Sequence, residues 1–344
     1  MQHRTLPLNR ILINLFLAVV LLGILLVAMD WGETRRVLFE ADWERLPAAL
    51  LFTTISYVCM AFSFSLVSQM LDIPMKRGDL ARIGFISATI NHVLTSGGVA
   101  GYSIRYYFMH KYGVPLRDVL AASFLHFYLT SLDMLSILPF GVAYLLFHAV
   151  VPRGVAVILG VLTLVLAVIA ILAALLIFRN NLRARILDLL SRAAQLVLHR
   201  NILSTMRSFD TTMKRGVDVM RERPILLLQI MVLTFIDWIC SLLVLGFCFD
   251  ALGPSLRVGV LVTGFVIGMV AGVVSMVPGG FGVQEGSMAG IFALLGVSFE
   301  QAVLAAILFR VLFFILPYLF SLGFYWRLLR EPARHVYTAT EKEV

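Results

Sequence analysis

The sequence predicts an all-α polytopic integral membrane protein, with six full spans and two opposed re-entrant helical hairpins arranged as an inverted repeat. Three observations lead to this fold class. Of the 344 residues, 60% are hydrophobic and only 14% are charged, against about 45–50% and about 25% in soluble domains. Long apolar runs alternate with basic loops, and two apolar regions are interrupted by glycine-rich polar segments. Because too few polar residues remain to cover a water-soluble surface, the sequence predicts a single membrane domain over residues 1–344.

Six apolar runs have the length of about 20 residues that a spanning helix needs. They cover residues 11–29, 47–70, 119–146, 154–178, 225–249 and 303–326. The first run follows Arg4 and Arg10, as the apolar part of a signal peptide would. However, Asp30 and Glu33 follow it without a small-residue cleavage pattern. We therefore predict that this run is a retained first helix.

Two further apolar regions, residues 80–112 and 258–296, are interrupted near their middles. The interruptions contain Asn91, Gly97, Gly98 and Arg105 in the first region and the stretch PGGFGVQEG, residues 278–286, in the second. Non-helical backbone is tolerated at membrane depth only where protein or a water-filled cavity covers it. Each region is therefore predicted to form a re-entrant hairpin of helix, break and helix. Ordinary loops outside the membrane, joining conventional spans, are the alternative.

The distribution of basic residues favours the hairpins. Lys and Arg number 28 against 20 acidic residues, which gives a formal charge of +8. With six spans and two hairpins, the face that carries both termini holds 22 of these basic residues and the opposite loops hold 5. By the positive-inside rule, this distribution predicts a bacterial-type cytoplasmic (inner) membrane protein with both termini in the cytoplasm. Since the basic residues lie in loops between apolar runs, no nucleic-acid partner is expected.

The loop of residues 179–223 carries ten basic and four acidic residues. Its apolar residues recur at helical spacing, which predicts amphipathic helices. Such helices are typical of segments that lie on an anionic leaflet. A solvated helical hairpin packed on the protein fits the same pattern, so both interpretations stay open.

The order of elements indicates a duplicated unit. Residues 11–146 and residues 154–326 both contain a span, a second span, a broken hairpin, a turn and a third span. A shift of 183 residues aligns the two glycine breaks, although few letters match. Because each half crosses the membrane three times, the second half must be inverted relative to the first. Inverted repeats with broken helices are frequent in secondary transporters, which bind their substrate where the halves meet.

Few charged residues fall inside the membrane region, and such residues are costly and usually functional. Arg105 and Arg310 are expected to hold a phosphate, although Arg105 could equally be an interfacial arginine whose side chain extends to the membrane surface. Glu285 is expected to pair with Arg310 or with a cationic head group, or to cap the helix that follows. A purely structural pair of Arg310 and Glu285 is the alternative. The other candidates for substrate binding are Asn91, Gly97, Gly98, Pro278, Gly279, Gly280, Gly282 and Gln284. Asp133 and Asp237 could form a polar relay or bond to neighbouring helices.

The sequence predicts neither a metal site nor a cofactor. The three cysteines, Cys59, Cys240 and Cys248, all fall inside apolar runs, where they cannot form a disulfide framework or a zinc pattern. No spacing of His, Cys and carboxylates suggests a metal ligand set, and no GxxxxGK[ST] loop is present. An ATP-driven reaction within this chain is therefore not expected.

The PGGFGVQEG segment, a Gly296-Val297 turn and Arg310 in the next span resemble the lysylphosphatidylglycerol synthase transmembrane-domain family. Members of this family are flippase-like membrane proteins, among them the lipid-translocating half of the multiple peptide resistance factor. The asparagine, glycines and arginine of the first break loosely match the family's first-half motif. The chain departs from many members at His126 and Phe127, where they have an acid and an arginine, and at Thr95, where they have proline.

Together, the resemblance and the inverted repeat imply a lipid translocase. The partners expected from the resemblance are membrane lipids: an anionic or aminoacylated phospholipid, or a glycolipid. The chain ends at Val344 without a soluble aminoacyl-transferase domain, so a separate lipid-modifying synthase is a further expected partner. A homo-oligomer is compatible with the sequence. The alternatives are a membrane-embedded enzyme that uses Glu285 and a histidine on a lipid-linked substrate, and a scaffold that binds a synthase through residues 179–223.

Overall fold

The computed structural model describes residues 27–94, 99–148, 203–253, 255–275 and 277–332, with isolated positions between 20 and 25 and between 153 and 185. Every regular element in these ranges is helical. The α-helices are α1 (Trp31–Phe39), α2 (Leu46–Met70), α3 (Arg77–Leu94), α4 (Val99–Lys111), α5 (Leu116–His148), α6 (Leu203–Glu222), α7 (Pro224–Leu252), α8 (Val258–Val274), α9 (Val283–Leu294), α10 (Phe299–Arg310) and α11 (Leu316–Arg330). Short 3₁₀ turns cover Trp43–Arg45 and Pro278–Gly280, and a π-helical turn, Val311–Ile315, joins α10 to α11.

Four helical stretches among the described residues are long and apolar enough to cross a bilayer. They are Trp43–Met70, Leu116–Tyr144, Pro224–Leu252 and Phe299–Arg330. They coincide with the predicted spans 47–70, 119–146, 225–249 and 303–326, which they extend by a few residues at most ends. The predicted spans 11–29 and 154–178 lie outside the described residues. The chain is therefore a multi-pass helical membrane protein.

The two interrupted regions each form a pair of helices that pack against one another, α3 with α4 and α8 with α9; we call these pairs hairpin 1 and hairpin 2. In hairpin 1, a Cβ on Gly101 would lie 2.9 Å from the Ser87 carbonyl oxygen, so only glycine permits this approach. In hairpin 2, Gly272 faces Gln284, and a side chain at Gly268 would clash with Met288. The break of hairpin 1, residues 95–98, lies outside the described residues.

The breaks of the two hairpins lie close together. Gly279 has φ +61°, a left-handed conformation that glycine adopts without strain. A Cβ on Gly279 would lie 2.9 Å from the carbonyl oxygen of Val93 and 3.1 Å from that of His92. The break of hairpin 2 therefore packs directly on the end of α3 in hairpin 1.

At each of two opposite ends of the molecule, hydrogen bonds join distant parts of the chain. We call these the α1 end and the α6 end, after the helix that lies at each. At the α1 end, the Asp42 amide donates to the Ala251 carbonyl (2.8 Å) and the Asp30 amide donates to Glu300 (3.1 Å). At the α6 end, Lys111 Nζ donates to the carbonyls of Leu328 (2.9 Å) and Glu331 (2.8 Å). Apolar clusters fill both ends, and the polar side chains described below lie between these clusters.

The described part of the basic loop is the helix α6, and its second half packs on the protein. Val217 and Met220 are buried, and Gly216 lies against Leu71 and Leu125. The sequence left open whether this segment lies on the anionic leaflet or packs on the protein. The second half of α6 packs on the protein. Residues 186–202 of the loop are outside the described ranges.

Candidate functional site

A cavity of about 220 Å³ lies where the two hairpins meet the spans. Hairpin 1 contributes Asn91, Gly101 and Arg105 to its wall, and hairpin 2 contributes Gly272, Gly280 and Gln284. The four candidate spans contribute residues from near their middles, namely Met60, Thr130, Asp237, Trp238 and Phe313. The cavity therefore lies at mid-depth of the membrane region, at the junction of the two halves.

Arg105 is the main charged group of this cavity. It is 6% exposed, and its guanidinium lies 4.0 Å from the centre of the Phe64 ring. Nε donates to Ser87 Oγ (2.8 Å), and Nη2 lies 3.4 Å from His126 Nδ1. Across the described ranges, no carboxylate lies within ion-pair distance of Arg105. Its positive charge is thus surrounded by neutral groups.

His126 lies between Ser63 and Arg105 and can connect them as a neutral imidazole. The Ser63 hydroxyl donates to the Met60 carbonyl (2.9 Å), and His126 Nε2 lies 2.8 Å from Ser63 Oγ. These contacts fit the tautomer in which Nε2 donates to Ser63 and Nδ1 accepts from Arg105. In this tautomer the imidazole orients the guanidinium without cancelling its charge.

The cavity is also bordered by a hydrogen-bonded link between the two halves. Tyr57 on α2 donates to the carbonyl of Phe313 in the π-helical turn (2.8 Å). His92 Nδ1 lies 2.9 Å from the same phenol oxygen, and because the phenol proton is already used, Nδ1 must donate. The π-helical turn directs Phe313 and Phe314 towards the cavity wall. Such turns recur at functional sites.

Arg310 differs from Arg105 because its charge is balanced. Its Nε donates to Glu285, Nη1 donates to the Gly279 carbonyl (2.8 Å), and Nη2 lies 3.3 Å from Gln284 Oε1. Glu285 also accepts from the Gly282 amide (2.8 Å), so it caps α9 as well as pairing with Arg310. Arg310 and Glu285 are 5% and 2% exposed. The pair fixes the break of hairpin 2 to the last span.

Asp133 and Asp237 are both buried, but they occupy different positions. Asp237 lines the cavity and accepts from the Ser56 hydroxyl on α2. Asp133 lies outside the cavity wall, and Thr234 Oγ1 on α7 approaches it at 2.5 Å. Both aspartates therefore bond to neighbouring helices, as one interpretation of the sequence expected, and only Asp237 faces the candidate site.

The other predicted site residues divide into three groups. Asn91, Gly279, Gly280 and Gln284 line the cavity together with Arg105. Gly282 lies at the start of α9, outside the described cavity wall, and Pro278 begins the 3₁₀ turn in the same break of hairpin 2. Gly97 and Gly98 lie outside the described residues.

The family model described as "Lysylphosphatidylglycerol synthase TM region" matches residues 11–321. The chain belongs to this family. One similar protein, a "UPF0104 membrane protein" of Methanothermobacter thermautotrophicus, is 21% identical over 311 residues, which are 88% of this chain and 90% of that protein. The resemblance expected from PGGFGVQEG and Arg310 is therefore confirmed across nearly the whole chain.

His126 and Phe127, at which the resemblance implied a departure from the motif of the lysylphosphatidylglycerol synthase family, both lie at the cavity. His126 contacts Arg105, and Phe127 is 46% exposed at the edge of the cavity. In this member of the family, a histidine therefore lies beside the buried arginine.

His126 and Thr130 line the cavity but were not among the site residues predicted from the sequence, although a pattern that includes the predicted Asp133 was available. His126, Thr130 and Asp133 recur at helical spacing on α5, within an otherwise apolar run. Polar residues on one face of a spanning helix indicate a polar interior. The Thr130 hydroxyl is buried and has no hydrogen-bond partner among the described residues.

Proposed function

We propose that this protein is a lipid translocase, in which the cavity between the hairpins receives the phosphate-bearing head group of a membrane lipid. The observation that carries the proposal is Arg105, a buried cation at the wall of a mid-membrane cavity that has no carboxylate partner among the described residues. Alternating exposure of this cavity to the two leaflets would move the head group across the bilayer, as in other inverted-repeat transporters.

The electrostatics of Arg105 favour an anionic ligand. A buried charge that is not paired carries a large desolvation cost, which an anion of matching geometry offsets. A guanidinium can bind a phosphate through two parallel hydrogen bonds. The unpartnered Thr130 hydroxyl offers a further bond at the same cavity. An anionic phospholipid, including an aminoacylated one, or a phosphate-bearing glycolipid would supply this group.

The size and surroundings of the cavity favour a lipid over a soluble anion. At about 220 Å³ it is smaller than the range of about 300–1,000 Å³ typical of whole small-molecule sites. It can hold a head group while the acyl chains remain outside. Phe127 and Val273 belong to the cavity wall and are 46% and 50% exposed, so the wall continues into the outer apolar surface. Acyl chains could leave the cavity between these two residues.

The proposal includes the re-entrant topology. The helices of the two hairpins have 18, 13, 17 and 12 residues. At about 1.5 Å per residue they reach about 18–27 Å, short of a hydrocarbon core of about 30 Å. Leu256 and Val297, which flank hairpin 2, line one surface cavity with Arg36 at the α1 end. Lys111, at the end of hairpin 1, bonds to α11 at the α6 end. These contacts support hairpins that enter from opposite faces.

We further infer that the α6 end faces the cytoplasm of a bacterial-type inner membrane. Three basic residues of the predicted cytoplasmic segments, Lys76, Arg77 and Lys111, lie at or near this end. Arg105, which the sequence also assigned to these segments, lies in the cavity wall instead. The positive-inside rule then gives the orientation. Both termini would lie in the cytoplasm, as expected from the distribution of charge.

The enzymatic alternative receives less support. A general base must reach the substrate with a free oxygen. Glu285 instead accepts from Arg310 and from the Gly282 amide, so both of its oxygens are already used. A scaffold that binds a synthase through residues 179–223 stays a prediction, as does a homo-oligomer.

Reconstitution of the purified protein into vesicles that contain fluorescently labelled phosphatidylglycerol tests the proposal. Dithionite quenching would follow the movement of the label between leaflets. We expect Arg105→Gln to reduce the protein-dependent rate by at least about tenfold, since a hydrogen bond to a charged group contributes about 1.5–3 kcal/mol. The control is Arg82→Gln, because Arg82 is a partly exposed arginine that pairs with Asp79. Equal rates in wild-type and protein-free vesicles, over a panel that includes aminoacylated and glycosylated lipids, would refute the proposal.

A further inference from the structure

Two acidic side chains are buried near the cavity without a positive partner. Asp237 is 4% exposed and Asp133 is 5% exposed. Within the ranges that the structure describes, neither makes an ion pair with lysine, arginine or histidine. An ionised carboxylate in such surroundings is costly, and the addition of a proton removes that cost.

Asp133 and Asp237 each accept a hydrogen bond from a hydroxyl rather than from a cation. Thr234 Oγ1 donates to Asp133 Oδ2 at 2.5 Å, and the Ser56 hydroxyl donates to Asp237. A hydroxyl bond does not neutralise a carboxylate, so an ionised aspartate at either position keeps an uncompensated negative charge.

Asp237 differs from Asp133 because it faces the same cavity as Arg105. Both residues line the cavity wall, yet they do not form an ion pair. A phosphate that bound Arg105 would add negative charge to this enclosed space. If Asp237 were ionised at the same time, two negative charges would face one positive charge at low dielectric. A proton on Asp237 neutralises its carboxylate, so one negative charge on the phosphate then faces the one positive charge on Arg105.

The other titratable groups around Asp237 do not provide a second cation. Tyr57 and Cys59 face it from α2, Asp133 faces it from α5, and Cys240 lies on its own helix. The cavity wall adds His92 from hairpin 1 and His126 from α5. His126 is buried beside Arg105 and His92 is half-buried, and the hydrogen bonds described above fit their neutral forms. Asp237 is the acidic group of the cavity wall that lacks a cation.

We propose that Asp237 is a proton-binding site that couples lipid movement to proton movement. Asp237 takes a proton from water on the side where the lipid phosphate enters and binds Arg105. It releases the proton to water on the opposite side when the lipid leaves. One proton thus accompanies each phosphate, and a pH gradient becomes a source of energy. This inference rests on the proposed lipid translocase.

Vesicles that contain the full-length protein, labelled phosphatidylglycerol and the pH dye pyranine test the coupling. We expect a pH gradient in the favourable direction to accelerate lipid movement at least about fivefold, the lower range of energetic coupling between two sites. Pyranine should report protons that move with the lipid. Asp237→Asn cannot exchange a proton and should lose both responses. Asp237→Glu, which retains the carboxyl group, should keep them.

The matched control is Asp250→Asn, since Asp250 lies near the end of the same helix and outside the cavity wall. Size-exclusion profiles identify any variant that fails to fold. If wild-type lipid movement is independent of the gradient and carries no protons, or if Asp237→Asn keeps its response, the coupling is refuted while the translocase stands. If no lipid moves in any vesicle, the proposed function itself fails.

Discussion

Arg105 and Arg310 are both buried arginines in the membrane region, but their partners give them different roles. Arg310 contacts Glu285, Gln284 and the Gly279 carbonyl, so each side of its guanidinium is used. The 183-residue shift that aligns the two glycine breaks places Tyr102 on Glu285 and Phe127 on Arg310. The described part of the first half therefore lacks the equivalent ion pair, which is why we propose a ligand-binding role for Arg105 and a structural one for Arg310.

The structural role of the second-half pair leads to a prediction about stability. Glu285→Gln leaves Arg310 as a buried, uncompensated charge, and breaking a buried pair in this way costs about 3–5 kcal/mol. We expect a clearly lower midpoint of thermal unfolding in detergent. The control is Glu33→Gln, which breaks the solvent-exposed pair with Arg36 and should cost less than about 1 kcal/mol. Equal midpoints for the two variants would contradict a structural role for the Arg310 and Glu285 pair.

The sequence identified the buried charged residues but not which of them are paired with an opposite charge. Arg105, Glu285 and Arg310 stood out because charges are rare in apolar runs. Which arginine lacks a partner depends on the packing of α4 against α3 and α5, which brings Ser87 and His126 to Arg105. No spacing in the sequence encodes that three-helix contact.

Among the elements, hairpin 2 shows how small residues bring two helices together. Gly264, Gly268 and Gly272 recur every four residues on α8, and they face Phe292, Met288 and Gln284 on α9. Small residues at this spacing let membrane helices approach closely. The repeated glycines were visible in the sequence, but their partners follow only from the reversal of the chain at the break. The sequence therefore predicted the break of hairpin 2, but it did not predict which residues of α8 and α9 pack against each other.

The break of hairpin 2 provides a second prediction. Gly279→Ala forces a Cβ into a left-handed conformation and to within 2.9 Å of the Val93 carbonyl oxygen. Left-handed strain in a residue other than glycine costs about 1–3 kcal/mol, so we expect lower thermal stability and slower lipid movement. The control is Gly290→Ala in α9, where a Cβ meets no atom within 4 Å and alanine favours the helix. A Gly279→Ala protein as stable and active as Gly290→Ala would exclude tight packing of the two breaks.

For the whole molecule, hydropathy was sufficient to predict the described spans. Runs of about 20 apolar residues have few alternatives to a spanning helix. The four candidate spans accordingly coincide with predicted ones. The cavity could not be predicted in the same way, because it is formed by the middles of spans that are distant in the sequence. The cavity depends on the positions and angles at which α2, α5 and α7 cross one another. The hydropathy of a single helix contains no information on these.

The opposed topology gives a prediction for chemical labelling. In the re-entrant arrangement, Lys76 and Leu116 flank hairpin 1 on the cytoplasmic face, and Ser255 and Ala293 flank hairpin 2 on the outer face. All four side chains are exposed, whereas the natural cysteines are buried. We expect a membrane-impermeant maleimide added to intact cells to label Ser255→Cys and Ala293→Cys but not Lys76→Cys or Leu116→Cys. If either pair is labelled on only one of its two members, that hairpin is a full crossing.

The proposed binding of a lipid phosphate by Arg105 inside the cavity can be tested without a transport assay. Native mass spectrometry of the purified protein, delipidated and then titrated with phosphatidylglycerol, measures this binding directly. We expect one tightly bound lipid on the wild type and on Arg82→Gln, and a loss of at least about tenfold in affinity for Arg105→Gln, in line with a charged hydrogen bond. Retention of the same lipid with equal affinity by Arg105→Gln would contradict the claim.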